Sequence, residues 1–366
     1  MIYLNYYAKP KPKTTEEEMI KEYERTNNKI NTLVFNTAEE IDKTKLANAI
    51  HVQNVSSVIS SIYNKIYNMC YHSLLCNTTQ HVYNSELLYD VFRIPKRTHG
   101  FRTITAPVDA LKTVQKTVLN LLVDKLKILP HNAAHGCVKG RNCLTALKVH
   151  QASKSRYFLK LDLHDAFGSV RRALLKDALK NTAILADYGM ASTACINAIV
   201  DIATHSTING LPQGAPTSPF LLNIYLQQFD YELTERLREK HLTYTRYVDD
   251  LLISSKYPFD KDEVIQLVAQ LLPEGMTINA EKTRYNNFNW SNWNLGIMYN
   301  NEGRLTVGYK NKKLIKNRIH NYNTREEERT VENYLQLSGI LGYYKYIEPE
   351  YFSREQFTIA PPAQNS

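Results

Sequence analysis

An aspartate in the middle of an apolar run constrains this chain more than any other feature. In RYFLKLDLHDAF, which begins at Arg156, the residues Phe158, Leu159, Leu161 and Leu163 span the length of one central strand, and Asp162 stands inside it. Burying a carboxylate there is costly unless it pairs or binds a metal; the alternative is a strand end that reaches solvent. A second acidic feature bears on the same question. In YVDDLLIS, Asp249 and Asp250 are adjacent at a hairpin turn flanked on both sides by strand-forming residues. Taken alone, an Asp-Asp surface turn is ordinary. If strand and hairpin lie side by side, the carboxylates can share two Mg2+ ions about 3.5–4 Å apart, which would activate an attacking 3′ hydroxyl and stabilise a leaving pyrophosphate. Metal-assisted nucleotidyl transfer is the chemistry that this pattern favours.

The chain of 366 residues is long enough for two or three packed lobes, and with 43% hydrophobic and 22% charged residues it is globular rather than disordered or collagenous. Lys and Arg total 45 against 36 for Asp and Glu, a formal charge of +9 that suits a polyanion, nucleic acid ahead of a membrane surface. There is no apolar run of 18 residues and no signal core behind the first charges, so the cytoplasm is the expected compartment and no membrane partner is expected. Five cysteines without a CxxC pair argue for buried thiols rather than disulfides or a zinc finger.

Apolar spacing predicts a helical N-terminal region over 1–90 and a basic β-hairpin at 91–106 with Thr98-His99-Gly100 at its tip. A helix from Val108 to Leu129 should end at Pro130. Beyond the strand of Asp162, helices are expected at 170–181 and near 189–204. The loop NGLPQGAPTSP then feeds a long helix with Ser218 as N-cap and Pro219 in its first turn. The hairpin of Asp249 and a helix at 261–272 follow, and the whole order reads as α+β without internal repeats.

The succession LDLHDAF, LPQGAPTSP, YVDD, GMTINAEKTR and an LG turn is similar to the ordered palm motifs of bacterial reverse transcriptases of the retron and group II intron lineage, over about residues 90–350. The resemblance implies an α+β right-hand polymerase fold. Its divisions would be fingers at 91–155, a palm of antiparallel sheet and helices at 156–300 with finger insertions, a helical thumb at 301–356 and a loose tail at 357–366. It implies an RNA-directed DNA polymerase that takes dNTPs and an RNA template, a cognate noncoding RNA, to a DNA product with two Mg2+ ions. Asp162, Asp249 and Asp250 would be the metal ligands, joined by the carbonyl of Leu163. Phe167 matches the aromatic position beneath the sugar of the incoming nucleotide, where it would exclude a ribose 2′ hydroxyl. Gln213 and Gly214 match the loop that contacts the nucleotide and template base, and Lys96 and Arg102 match the clamp on the triphosphate. Lys282 matches a lysine that protonates pyrophosphate. Arg141 resembles a fingers residue at template or nucleotide, and Lys312, Lys313, Lys316 and Arg318 would follow duplex phosphates from the thumb.

Several segments depart from the retron pattern: TALKVH stands where NAxxH is expected, NLG where VTG is expected, and YVDD replaces YADD. These departures favour a relative among unclassified antiviral reverse transcriptases, with an effector protein or a second copy as partner. The stretch after the basic segment is short for an RNase H fold or an endonuclease. Protein-primed or template-independent DNA synthesis, and a polymerase-shaped RNA-binding module that acts through a partner, remain as alternatives.

Overall fold

The computed structural model describes residues 88–96, 100–182, 193–205, 207–287, 296–300 and 302–362. The helical expectation for the N-terminal region, the hairpin tip at 97–99, and Cys70 and Cys76 lie outside them. The described chain is α+β, and it divides into two compact units, one holding the residues up to Leu129 with Phe167–Tyr225, the other Pro130–Ala166 with the residues from Leu226 onward.

In the first unit, β1 (Tyr89–Pro95) and β2 (Phe101–Pro107) form the basic hairpin, with Ile94 opposite Arg102. Helix α1 (Asp109–Asn120) buries Leu111, Val114 and Val118 at i, i+3, i+7 spacing. It gives way to a π-helical turn at Leu121–Lys125, where Leu126 N–H donates to Leu121 O at 2.9 Å. The helix therefore stops before Pro130, because Lys127 turns to φ 54. Helices α2 (Cys143–Ala152, in the second unit), α3 (Arg172–Lys180), α4 (Thr193–Ala203) and α5 (Ser218–Tyr225) follow; α3, α4 and α5 supply Leu175, Leu179, Ile199, Val200 and Leu222 to the first unit's core. Ser218 is not the expected cap: it lies in the first turn of α5, and its hydroxyl donates to Pro212 O at 2.8 Å. The long helix expected after Pro219 is broken at Leu226, whose ψ of 2° interrupts the ladder before α6 (Gln227–Glu239).

The second unit is built on an antiparallel sheet. Strand β3 (Tyr157–His164) is central, with β5 (Asp250–Ser255) and then β4 (Thr243–Tyr247) on one side. On its other edge are β7 (Arg284–Asn287) and, at the far end, β6 (Thr277–Ile278). Alternation sorts the residues by face. Leu159, Leu161, Leu163, Leu251, Ile253, Tyr244 and Arg246 share one face, which meets α6 and, beyond it, α7 (Lys261–Leu271). Phe158, Lys160, Asp162, Asp250, Leu252 and Ser254 share the other. Phe158 and Leu252 at one end of that face join a core with Leu144 and Leu147 of α2. The same core takes Tyr299 of β8 (Met298–Tyr299), Leu305 of β9 (Leu305–Thr306), Ile315 and Ile319 of α8 (Tyr309–Thr324), and Leu337 and Leu341 of α9 (Val331–Ile347). Phe352 of α10 (Pro349–Phe352) and Phe357 complete it.

The expected tail is anchored over part of its length: Phe357 is buried, Ala360 N–H donates to Asn323 Oδ1 at 2.9 Å, and Arg329 donates to Pro361 O at 2.8 Å. Of the described cysteines, Cys143 is buried as expected, whereas Cys137 is exposed.

Candidate active site

The register of β3 against β5 places Asp162 directly opposite Asp250, and directly paired residues of an antiparallel ladder carry their side chains on the same face, about 5 Å apart at Cβ. Asp249 occupies the turn between β4 and β5, and its carbonyl accepts from Leu163 N–H at 3.0 Å, so the turn is tied to the strand that carries Asp162. Burial, then the charge of Asp250, and more weakly that of Asp162, push the Asp249 carboxyl above its ordinary value, with Lys282 acting the other way. Three acids thus share one electrostatic field at the open end of the sheet.

Two lysines answer it. Lys282 Nζ lies 2.8 and 3.0 Å from the oxygens of Asp162, and Lys160 Nζ lies 2.7 Å from Asp250 Oδ2. Asn279 adds its backbone N–H to Asp162 O at 2.7 Å. No sequence motif marks Lys160, Asn279 or the buried pair of Asp230 with Arg246. Strand alternation does mark Lys160: two residues before Asp162 in a strand, it must share that aspartate's face, and Asp250 is a diagonal neighbour within reach of a long side chain.

The donor set suits a hard divalent cation, since carboxylate and backbone carbonyl oxygens are the ligands that Mg2+ prefers. Among the described residues no three His, Cys, Asp or Glu side chains converge as a metal-binding group; the Asp162 and Asp250 carboxylates are each turned to an ammonium instead.

The first unit assembles the remaining nucleotide-site candidates around its Gly/Pro-rich loop. Gln213 O accepts from Thr105 N–H of β2 at 2.7 Å, and Phe167 O accepts from Leu211 N–H at 3.2 Å. Gly214 has φ 125, and a Cβ there would stand 2.9 Å from Ile104 Cγ2, so the close approach of loop and hairpin requires glycine. Lys96 and Arg102 are exposed on the hairpin, and Phe167 is half-buried.

The basic candidates divide. Arg141 gives its guanidinium to the carbonyls of His131 and Ala134, at 2.7 and 2.8 Å, and to Asn132 Oδ1 at 3.0 Å, which fixes a loop. Lys312 pairs with Glu348 at 2.6 Å and lies 4.1 Å from the Tyr351 ring centroid. Lys313 and Lys316 are exposed on α8, and Arg318 is partly so. His150 of the TALKVH segment is fully buried between Ser254 Oγ, at 2.5 Å, and Thr245 Oγ1, at 2.8 Å.

The model of the family described as "Reverse transcriptase (RNA-dependent DNA polymerase)" matches residues 94–321, well over half of the chain. The chain belongs to the reverse transcriptases. It is accordingly an RNA-directed DNA polymerase of the right-hand polymerase fold, and this family membership brings a divalent-metal dependence and an RNA template. Among characterised reverse transcriptases, the retron Ec83 enzyme of Escherichia coli is 29% identical over 277 residues, 73% of this chain and 85% of that one. The retron Mx65 enzyme of Myxococcus xanthus is 32% identical over 278 residues, 73% of this chain and 63% of that one. These relatives place the chain in the retron lineage. Among solved structures, apo telomerase from Candida tropicalis aligns over 80% of this chain and 62% of its own length, with a TM-score of 0.46 and 14% identity. Among the described residues no helix is long and apolar enough to cross a membrane.

Proposed function

We propose that this reverse transcriptase copies a cognate noncoding RNA into DNA at a two-Mg2+ centre formed by Asp162, Asp249, Asp250 and the carbonyl of Leu163. The observation that carries the reading is the placement of Asp162 opposite Asp250 with Leu163 bonded to Asp249 O, which gathers three acids at one end of one sheet. Bound there, the metal pair would supply activation of the primer 3′ hydroxyl and charge neutralisation on the leaving pyrophosphate.

The protein's own groups do the rest. Lys96 and Arg102 hold the triphosphate, the one as a point charge and the other as a fork. Phe167 lies beneath the sugar and leaves no room for a 2′ hydroxyl, while Gln213 and Gly214 meet the base pair. Lys282 holds Asp162 before substrate arrives and offers a proton to the departing pyrophosphate afterwards. Lys313, Lys316 and Arg318 follow the duplex phosphates, with Lys312 and Arg141 shaping the surfaces beside them. The divisions are fingers at 91–155, palm at 156–300 and thumb at 301–356, and the setting is a retron-like or phage-defence cassette with an effector protein or a second copy as partner.

On a primed RNA template with dNTPs and NTPs offered separately, the wild type should incorporate dNTPs alone, and Phe167→Ala should admit NTPs while retaining dNTP use. Equal use of both by the wild type contradicts the gate. Sequencing of co-purified nucleic acid should return one dominant noncoding RNA; a spread of unrelated cellular RNAs contradicts the cognate template.

A further inference from the structure

The residue in front of the two turn acids is strained. Val248 has φ 60, a left-handed conformation in which a β-branched side chain is an outlier. Three contacts hold it there. Arg246 Nη1 donates to Val248 O at 2.9 Å. Behind the turn, Gly136 is so close that a Cβ on it would stand 2.4 Å from Val248 N and 2.6 Å from its Cγ2. Beyond it, Leu163 N–H holds Asp249 O at 3.0 Å.

Arg246 is itself fixed from every side. Its Nε and Nη2 donate to Asp230 Oδ1 and Oδ2 at 2.9 and 2.6 Å, Tyr244 Oη donates to the same carboxylate at 2.7 Å, and the side chains of both Arg246 and Asp230 are fully buried. Its backbone is bracketed by Ala133 O and His135 N–H, each at 2.7 Å. A buried ion pair contributes little net stability relative to apolar residues of the same volume. It does fix direction, and here Nη1, the guanidinium nitrogen not bonded to Asp230, donates to the carbonyl that precedes Asp249. Arg246 also points to the sheet face opposite Asp250, so it acts through the backbone without touching the acids.

We infer that Asp230 and Arg246 are positioning residues: the pair clamps the Val248 carbonyl, holds the turn left-handed against its strain, and so aims Asp249 and Asp250 at the metal ions. The inference rests on the proposed metal centre, and strain of this kind persists only where the surroundings over-determine it.

The test uses the full-length protein in five forms: wild type, Arg246→Lys, Gly136→Ala, Arg246→Lys with Val248→Gly, and Asp249→Ala. Mn2+ binding to substrate-free protein is followed by electron paramagnetic resonance, alongside melting temperature, half-saturating Mg2+ and dNTP KM. Lysine keeps a cation beside Asp230 but lacks the fork, so Arg246→Lys should weaken Mn2+ binding about tenfold or more, with a parallel rise in half-saturating Mg2+ and little change in dNTP KM. Gly136→Ala displaces the turn with the ion pair intact and should do the same, which tests the turn's control of the acids even if Arg246→Lys does not fold. Glycine accepts φ 60 without strain, so the double variant should regain most of the Mn2+ affinity while its melting temperature stays low. Unchanged Mn2+ binding in Gly136→Ala, or a double variant that regains none of it, would overturn the inference. Wild-type Mn2+ binding that ignores Asp249→Ala would instead overturn the metal centre on which it stands.

Discussion

Lys160 shows how the site manages its own repulsion. Asp162 and Asp250 face each other across two strands, and each is neutralised by a lysine, Lys282 at 2.8 Å and Lys160 at 2.7 Å. Only Lys160 is largely buried, with 18% of its side chain exposed against 62% for Lys282. Lys160→Met should therefore lower stability in EDTA by about 1 kcal/mol, in the range between exposed and buried pairs. Divalent cation should then give a larger rise in melting temperature than in the wild type, since nothing competes for Asp250. An unchanged melting temperature in EDTA would show that the pair contributes nothing. At this scale the acids are legible because a carboxylate in an apolar run is anomalous in one dimension. Asp230 and Arg246 are not, because their partnership joins a helix to a strand and only the folded chain brings them together.

Between elements, Glu348 ties three segments. It accepts from Thr306 Oγ1 and Val307 N–H, both at 2.8 Å, and from Lys312 Nζ at 2.6 Å, linking β9, the start of α8 and the end of α9. Glu348→Ala leaves two buried donors and an ammonium without an acceptor and should cost about 2–3 kcal/mol, read as a lower urea midpoint at constant m. A loss below about 0.5 kcal/mol would mean that water replaces the carboxylate. The basic hairpin, the strand of Asp162, the hairpin of Asp249 and α7 are all readable locally, since turn residues and alternation mark them. The break at Leu226 and the π turn after Asn120 are not, because the apolar pattern runs on through both and carries no local mark of the backbone change.

For the whole molecule, two histidines couple stability to acid. Burial lowers His150 to about 3, and burial with the nearby Arg141 charge lowers His135 to about 4, so both stay neutral when folded. An unfolded histidine titrates near 6.5. The contribution is thus complete above about pH 6.5 and is lost as pH falls toward 4 and then 3, because the unfolded chain takes up protons that the folded chain refuses. Urea midpoints should fall from pH 6.5 downward, and His150→Asn should flatten that slope; an unaltered slope would assign it to other groups. Mg2+-dependent dNTP incorporation on a primed RNA template should fall about a thousandfold in Asp249→Ala, the scale of a lost metal centre, while far-UV circular dichroism stays that of the wild type. Incorporation by Asp249→Ala at the wild-type rate would contradict the account.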